Sequence, residues 1–169
     1  MKVVVVDDHR IVRDGIRWML SDAGSIEIAG DAASGDALLE LLADAPVDVV
    51  LLDVRMPGKS GLETLEAMRR DFPQVRVIML SMHDQPAYVR RAIELGAAGY
   101  LLKNTGREEL IRALDTVAEG GTYLQGEVVA PLINALSDPD PSVRRQAADS
   151  LWRVSEVAAP AEAALRKAL

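Results

Sequence analysis

Residues 49–63 have the sequence VVLLDVRMPGKSGLE, in which an apolar run ends at an acidic residue. Four apolar residues lead into a single aspartate, Asp53, and the chain then breaks into a Met-Pro-Gly turn at 56–58. A continuous apolar run bounded by turn residues indicates a strand that is buried on both faces of a sheet. A carboxylate is costly to bury at the end of such a strand, which makes Asp53 a candidate site residue.

Short β-branched runs alternate with longer helical patterns on both sides of this stretch. The patterns predict strands at 2–7, 26–32, 47–53, 75–81 and 98–103, and helices at 10–24, 35–46, 62–73, 85–96 and 107–121. Five β-α units in strict order predict an α/β fold, a five-stranded parallel sheet with helices on both faces. We assign this domain to residues 1–121.

Composition limits the classes of protein to consider. The chain has 169 residues, no cysteine and a net charge of −7, so disulfides, thiolate metal sites and a basic nucleic-acid-binding surface are all disfavoured. No stretch approaches the roughly 20 apolar residues of a membrane span, and the apolar run at the N-terminus is too short for a secretory signal. We therefore expect a soluble cytoplasmic protein. Few aromatic residues are present, and we expect Trp18 and Trp152 to serve in packing.

Polar side chains follow four of the predicted strands at their carboxyl ends. Asp7 and Asp8 end the first strand, Asp53 the third and Ser81 the fourth, and the fifth runs into Lys103. In an open parallel sheet these ends form the rim where ligands bind. One such aspartate alone is more often a cap or turn residue, but the whole set is hard to explain in that way. Three clustered carboxylates need a cation, and all-oxygen ligands suit Mg²⁺.

The same residue types suggest phosphoryl chemistry at this rim. Asp53 could accept a phosphoryl group, while a metal ion and Lys103 screen the incoming oxygens. The Ser81 hydroxyl could then hydrogen-bond one of those oxygens. His9 follows the acidic pair, and we expect a helix-start residue beside the site rather than a metal ligand. His83 lies two residues beyond Ser81, where it either tunes the lifetime of the phosphoryl group or is a solvated loop residue.

The motifs VVVVDDH, VVLLDVRMPGKSGLE, VIMLSMHD and GAAGYLLK agree in order and type with a known family. Over residues 1 to about 121 the chain resembles the receiver domain of two-component response regulators, in particular the NarL/FixJ type. The resemblance implies a flavodoxin-like (βα)5 fold. It also implies a phosphoacceptor signalling protein, not an enzyme, whose partner is a sensor histidine kinase.

Carried over to this sequence, the resemblance implies a set of metal ligands. Asp53 would be phosphorylated by a histidine kinase or a small phosphodonor. Asp8 and Asp53 would ligate Mg²⁺, Asp7 would help through water, and the backbone carbonyl of Arg55 would complete the protein ligands.

The resemblance also implies a switch. Ser81 would be the switch hydroxyl, Lys103 the phosphate-binding lysine and Tyr100 the aromatic residue that changes rotamer on activation. Many receivers have proline after this lysine, whereas Asn104 stands here.

The tail, residues 122–169, departs from the NarL/FixJ pattern, whose members usually end in a LuxR-like helix-turn-helix. It lacks the LTxRE opening of that domain, and residues 128–169 hold five basic and five acidic residues. PLINALSDPDPSVRRQAADSLWRV instead resembles one HEAT-type helical pair. We predict two or three short helices, at 127–138, 142–157 and within 159–169, with Ser142 as the N-cap of the second. One such repeat is not stable alone, so it should pack on the receiver, form a homodimer or bind a protein partner.

Three classes of function remain at this point. The first is a phosphorylation-switched receiver whose tail mediates dimerisation or partner binding. The second is a transcriptional regulator of the NarL/FixJ type that binds DNA through the tail or is truncated from a longer chain, and the neutral tail disfavours it. The third, an enzyme of haloacid-dehalogenase type, requires D-x-D directly after the first strand. Here that strand ends in the adjacent acids Asp7 and Asp8, and the sequence excludes the third class.

Overall fold

The computed structural model describes residues 1–82, 85–149 and 152. In these residues one sheet of parallel strands has the order β2-β1-β3-β4-β5-β6. The strands are β1 (Lys2–Val6), β2 (Glu27–Ala32), β3 (Val49–Asp53), β4 (Arg76–Ser81), β5 (Gly99–Leu102) and β6 (Tyr123–Leu124). The helices are α1 (Arg10–Leu20), α2 (Gly35–Asp44), α3 (Gly61–Asp71), α4 (Pro86–Glu94), α5 (Arg107–Ala118) and α6 (Gly126–Ala135). The parallel α/β fold and its flavodoxin-like strand order are confirmed.

The central strands are apolar throughout because helices cover both of their faces. Along β1, Val4 and Val6 belong to one core cluster, and Val3 and Val5 belong to the other. This separation follows from the two-residue period of a strand. Side chains of α2, α3 and α4 pack on the first face, and side chains of α1 and α5 pack on the second. Both faces are closed, so the carboxyl ends of the strands form the rim on which polar groups can gather.

The sheet has one strand more than the sequence predicts. β6 pairs with β5 through Gly99↔Tyr123 and Tyr100↔Leu124. A two-residue strand is too short to produce a detectable period. This one begins one residue beyond the glycine pair at 120–121, which we assigned to the end of a helix. The sheet therefore continues past residue 121, and the division into two domains at that residue stays a prediction.

In the sequence, four apolar residues of α1 lie near helical spacing and predict one buried face: Ile11, Ile16, Met19 and Leu20. The buried face in the structure is narrower. Ile16 and Leu20 are buried, whereas Ile11 is 81% exposed. At 100° per residue, Ile11 lies about 140° around the helix from Ile16, which places it on the solvent side. The expectation that the two tryptophans pack is wrong for Trp18, whose exposed fraction is 78%. Trp152 is also largely exposed, at 66%.

In the tail, β6 is followed by α6, which packs against α4 and β5. Val128 of α6 is fully buried and belongs to the core. Residues 141–149 are helical, but the cap is Asp140 and not Ser142, because the Asp140 carboxylate accepts the Ser142 amide at 2.7 Å. Pro141 opens this helix, where its missing N–H is no loss. The predicted helix beyond residue 149 lies outside the described residues apart from residue 152, as does the piece within 159–169.

In the part of the chain that the structure describes, every helix is too short or too polar to cross a bilayer.

Gly61, the first residue of α3, has no room for a side chain. A Cβ there would lie 1.8 Å from the backbone oxygen of Asp53, and backbone atoms cannot move aside as a flexible side chain can. We expect Gly61→Ala to lower the free energy of unfolding by about 3 kcal/mol. Gly15→Ala is the matched control, because no atom lies within 4 Å of a Cβ at this position in α1. It should raise stability by up to about 1 kcal/mol. Urea unfolding measures both, and equal effects would contradict the packing at Gly61.

Candidate functional site

Three aspartates meet where β1 and β3 lie side by side. β1 and β3 are neighbours in the sheet, with Val6 opposite Leu52, so the residues that follow them share one end. Asp7 is fully buried and Asp53 is 3% exposed, while Asp8 is half-buried. A carboxylate oxygen from each of the three lies within 4.8 Å of the others. The convergence predicted from the strand ends is present.

Lys103 joins two of these aspartates. Its Nζ lies 2.7 Å from Asp7 Oδ2 and 2.7 Å from Asp53 Oδ2, and its side chain is only 7% exposed. The backbone places it there, because the Lys103 amide donates to the Ser81 carbonyl at 2.7 Å, continuing the β4–β5 pairing. One ammonium group therefore serves two buried carboxylates.

The charges of Asp53 and Lys103 are affected by burial and by their contact with each other. Burial raises the pKa of Asp53, and although the Lys103 ammonium opposes this, the pKa stays above its ordinary value. Burial alone would lower the pKa of Lys103, but its hydrogen bonds to Asp53 and Asp7 outweigh that and leave the pKa raised. Lys103 is thus firmly cationic, and the site carries more negative charge than Lys103 balances.

The remaining predicted residues lie along the same rim or just beneath it. Ser81 ends β4 and is 5% exposed, and Tyr100 in β5 is fully buried. The Arg55 amide donates to Asp53 Oδ1 at 3.3 Å, so Arg55 adjoins the site. The ligand role of its carbonyl stays a prediction, and so do the switch roles of Ser81 and Tyr100. His83 lies outside the described residues.

Two residues contribute more to the site than sequence reasoning assigned them. His9 is the N-cap residue of α1, as expected for a helix start, but its ring makes no capping hydrogen bond and turns to the carboxylates. Arg13, one turn into α1, donates to the Asp7 carbonyl at 2.6 Å and to Asp31 Oδ2 at 2.7 Å. The contact of His9 with the carboxylates could have been predicted only from its position directly after Asp7 and Asp8. No feature of the sequence indicates the contact of Arg13 with the Asp7 carbonyl.

The residues present fit a hard divalent cation. Three carboxylates face one another with one lysine between two of them, and Asp7 and Asp53 are almost inaccessible to water. Oxygen ligands in this number, with room left for other oxygens, are what Mg²⁺ prefers. Asp7, Asp8 and Asp53 are the side chains that could hold it.

Metal-free protein should be destabilised by the ionised form of Asp53. Because the pKa of Asp53 is raised in the folded state, its protonated form stabilises the fold. This stabilisation is complete below the ordinary pKa of an aspartate and is lost as pH rises through the folded pKa. We therefore expect Asp53→Asn to raise the melting temperature in EDTA, with a gain that grows as pH rises above the ordinary pKa of an aspartate. The exposed Asp44→Asn, at the end of α2, is the control. A gain that is equal at every pH would contradict the raised pKa.

Comparison with known proteins agrees with this geometry. The family described as response regulator receiver domain matches residues 3–115, and the HEAT repeat family matches residues 128–158. The transcriptional regulatory protein MctR of Rhizobium johnstonii is 40% identical over 133 residues, which are 79% of this chain and 62% of MctR. The chain thus spans less than two thirds of the length of that relative.

Two solved structures are similar in fold and sequence. One is the signal receiver domain of the response regulator NarL from Mycobacterium tuberculosis, with 44% identity and a TM-score of 0.67 over 70% of this chain and 96% of that one. The other contains two RcsB dimers bound to two parallel DNAs, with 28% identity and a TM-score of 0.74 over 83% of this chain and 71% of that one. The resemblances to a receiver and to a HEAT repeat are both confirmed.

Proposed function

The chain belongs to the response regulator receiver domain family, and on that premise we propose that it is a phosphoacceptor of a two-component system that takes a phosphoryl group on Asp53 in a Mg²⁺-dependent reaction. The observation that carries the proposal is the Lys103 ammonium, 2.7 Å from both Asp53 and Asp7 at the carboxyl end of the sheet. The donor is a sensor histidine kinase or a small phosphorylated molecule. The protein acts as a signalling switch and turns over no other substrate.

The chemistry is a single displacement at phosphorus. An Asp53 carboxylate oxygen forms a bond to phosphorus while the bond from phosphorus to the donor breaks, and the donor keeps the electron pair. Mg²⁺ held by Asp7, Asp8 and Asp53 would neutralise charge on the transferred oxygens. Lys103 already contacts the acceptor, and its ammonium stabilises the same negative charge from a fixed position.

The new phosphoryl group changes the local charge, and this change can reach the tail. We expect its oxygens to compete with Asp7 for Lys103 and one of them to accept a hydrogen bond from the hydroxyl of Ser81, the last residue of β4. Leu102, the residue before Lys103, donates its amide to Gln125 Oε1 at 2.7 Å. The backbone amide of Gln125 in turn donates to the Tyr100 carbonyl at 3.2 Å. Gln125, the residue before α6, is therefore hydrogen-bonded to β5 at Tyr100 and at Leu102. A movement of β5 would therefore move α6.

α6 offers a surface on which such a movement could act. Ile133 and Leu136 are 53% and 40% exposed, while Val128 anchors the helix in the core. Exposed apolar side chains on an anchored helix support the proposal that phosphorylation switches dimerisation or the binding of a protein partner. Light scattering with and without a phosphodonor tests this, and an unchanged mass together with unchanged partner binding would contradict it.

The test of the proposed function is covalent labelling. Tag-free protein is incubated with a small phosphodonor in Mg²⁺ or in EDTA, and its intact mass is measured. We expect one phosphoryl adduct in Mg²⁺, little in EDTA, and loss of the adduct under alkaline conditions, as for an acyl phosphate. Absence of any adduct, or labelling that is equal in EDTA, would overturn the proposal.

A second candidate function is DNA-binding transcriptional regulation of the NarL/FixJ type. Two comparisons favour it: MctR is a transcriptional regulatory protein longer than this chain, and the RcsB structure contains DNA. Against it, residues 128–169 are charge-neutral, whereas DNA binding requires several phosphate contacts from lysine or arginine. Sequence-specific, salt-sensitive gel shifts by this chain would favour regulation through DNA.

A further inference from the structure

His9 adds a nitrogen to a site otherwise made of oxygens. Its Nδ1 lies 3.1 Å from Asp7 Oδ1 and 3.1 Å from Asp8 Oδ1. A ring nitrogen of His9 belongs, with one oxygen each of Asp7, Asp8 and Asp53, to a set of atoms that all lie within 4.8 Å of one another. The His9 amide also donates to Asp7 Oδ1 at 2.9 Å, which fixes the backbone beside the carboxylates.

These separations match those of ligands around one ion. Two ligands at right angles on bonds of about 2.1 Å are about 3.0 Å apart, and two opposite ligands are about 4.2 Å apart. The distances from His9 Nδ1 to the two carboxylate oxygens are close to the first value. The 4.8 Å within which the whole set lies is longer than the second, so the set would contract slightly around an ion. The ring could meet an ion at this position without rearrangement of the core, because its side chain is 64% exposed.

We propose that His9 Nδ1 is a fourth protein ligand that enables this site to bind late first-row divalent ions such as Zn²⁺. Imidazole contributes strongly to the binding of Zn²⁺ and little to that of Mg²⁺, which carboxylates and water serve best. Both ions use Asp7, Asp8 and Asp53, so they compete for one site, and His9 sets their relative affinities. This inference rests on the metal site of the proposed function.

The experiment measures Zn²⁺ and Mg²⁺ binding separately by calorimetry on tag-free, EDTA-treated protein at one pH. Wild type is compared with His9→Gln and with His83→Gln, the second of which removes the other histidine of the chain as a matched control. We expect His9→Gln to weaken Zn²⁺ binding by about 10- to 100-fold and Mg²⁺ binding by less than about 3-fold. His83→Gln should leave both affinities unchanged, and a thermal melt checks that each variant is folded.

The outcomes separate this inference from the function it rests on. Unchanged Zn²⁺ binding in His9→Gln, or an equal loss for both ions, would overturn the role of His9 as a ligand and would leave the Mg²⁺ site standing. If wild-type protein binds neither ion, the metal site itself fails, and the inference fails with it. A loss for Zn²⁺ alone supports His9 as the fourth ligand.

Discussion

Asp53→Asn should abolish phosphoryl incorporation from both a small phosphodonor and a kinase. Asparagine has nearly the shape of aspartate and would preserve the strand end, but its amide cannot serve as the nucleophile in the displacement at phosphorus. Asp7 and Asp8 keep their carboxylates in this variant, so the measurement also tests whether a neighbouring carboxylate can accept the phosphoryl group in place of Asp53. Loss of the label below the detection limit of intact-mass measurement is the expected result.

Asp44→Asn is the matched control for this variant. It makes the same chemical change at an exposed position at the end of α2, away from the carboxyl ends of the strands. It should be labelled at the wild-type rate. Labelling of Asp53→Asn at the wild-type level would show that another group is the acceptor and that the geometry around Lys103 has been misread.

Lys103→Met should lower the rate of labelling by about 100- to 1000-fold while leaving the acceptor in place. The variant keeps much of the length of the side chain but removes the only ammonium that contacts Asp7 and Asp53 among the described ion pairs. Charge that develops on the transferred oxygens then loses a fixed partner in a dry site, where such a partner has its largest effect. The rate is measured as adduct formation over time at saturating Mg²⁺.

Lys59→Met controls for the loss of a lysine ion pair in general. Lys59 lies 2.6 Å from Asp36, whose side chain is 71% exposed, and pairs of this kind contribute little. Its labelling rate should stay within about twofold of wild type. Folding of both variants is checked by circular dichroism. If Lys103→Met were labelled as fast as Lys59→Met, Lys103 would have only a structural role.

The sequence predicted the strands and helices that have a regular hydrophobic pattern. Long apolar strands and amphipathic helices are repeated signals, and for this reason all five β-α units lie where we expected them. Two errors fall on short features with no period, the two-residue β6 and the cap at Asp140, and these depend on how neighbouring segments pack. The other two concern α1, where Ile11 and Trp18 are exposed. The helical period already separates Ile11 from Ile16, so the position of Ile11 could have been predicted more closely.

The residues of the site likewise include some that could be placed from the sequence and some that could not. The carboxylates and Lys103 could be placed together because parallel strands bring their carboxyl ends to one rim, whatever the details of packing. The contacts of His9 and Arg13 could not be placed, because they depend on the path of the loop after β1 and on the direction of long side chains. The lysine bridge between Asp7 and Asp53 was likewise visible only once β5 was fixed beside β4.

Locating the phosphoryl group on the wild-type chain tests the role of Asp53 as acceptor. Protein labelled with a small phosphodonor in Mg²⁺ is digested rapidly at acidic pH, where acyl phosphates survive, and its peptides are sequenced by mass spectrometry. We expect one modified residue, Asp53, in the peptide that contains the end of β3. A label on Asp7, Asp8 or His9, or no label on any peptide, would contradict this role.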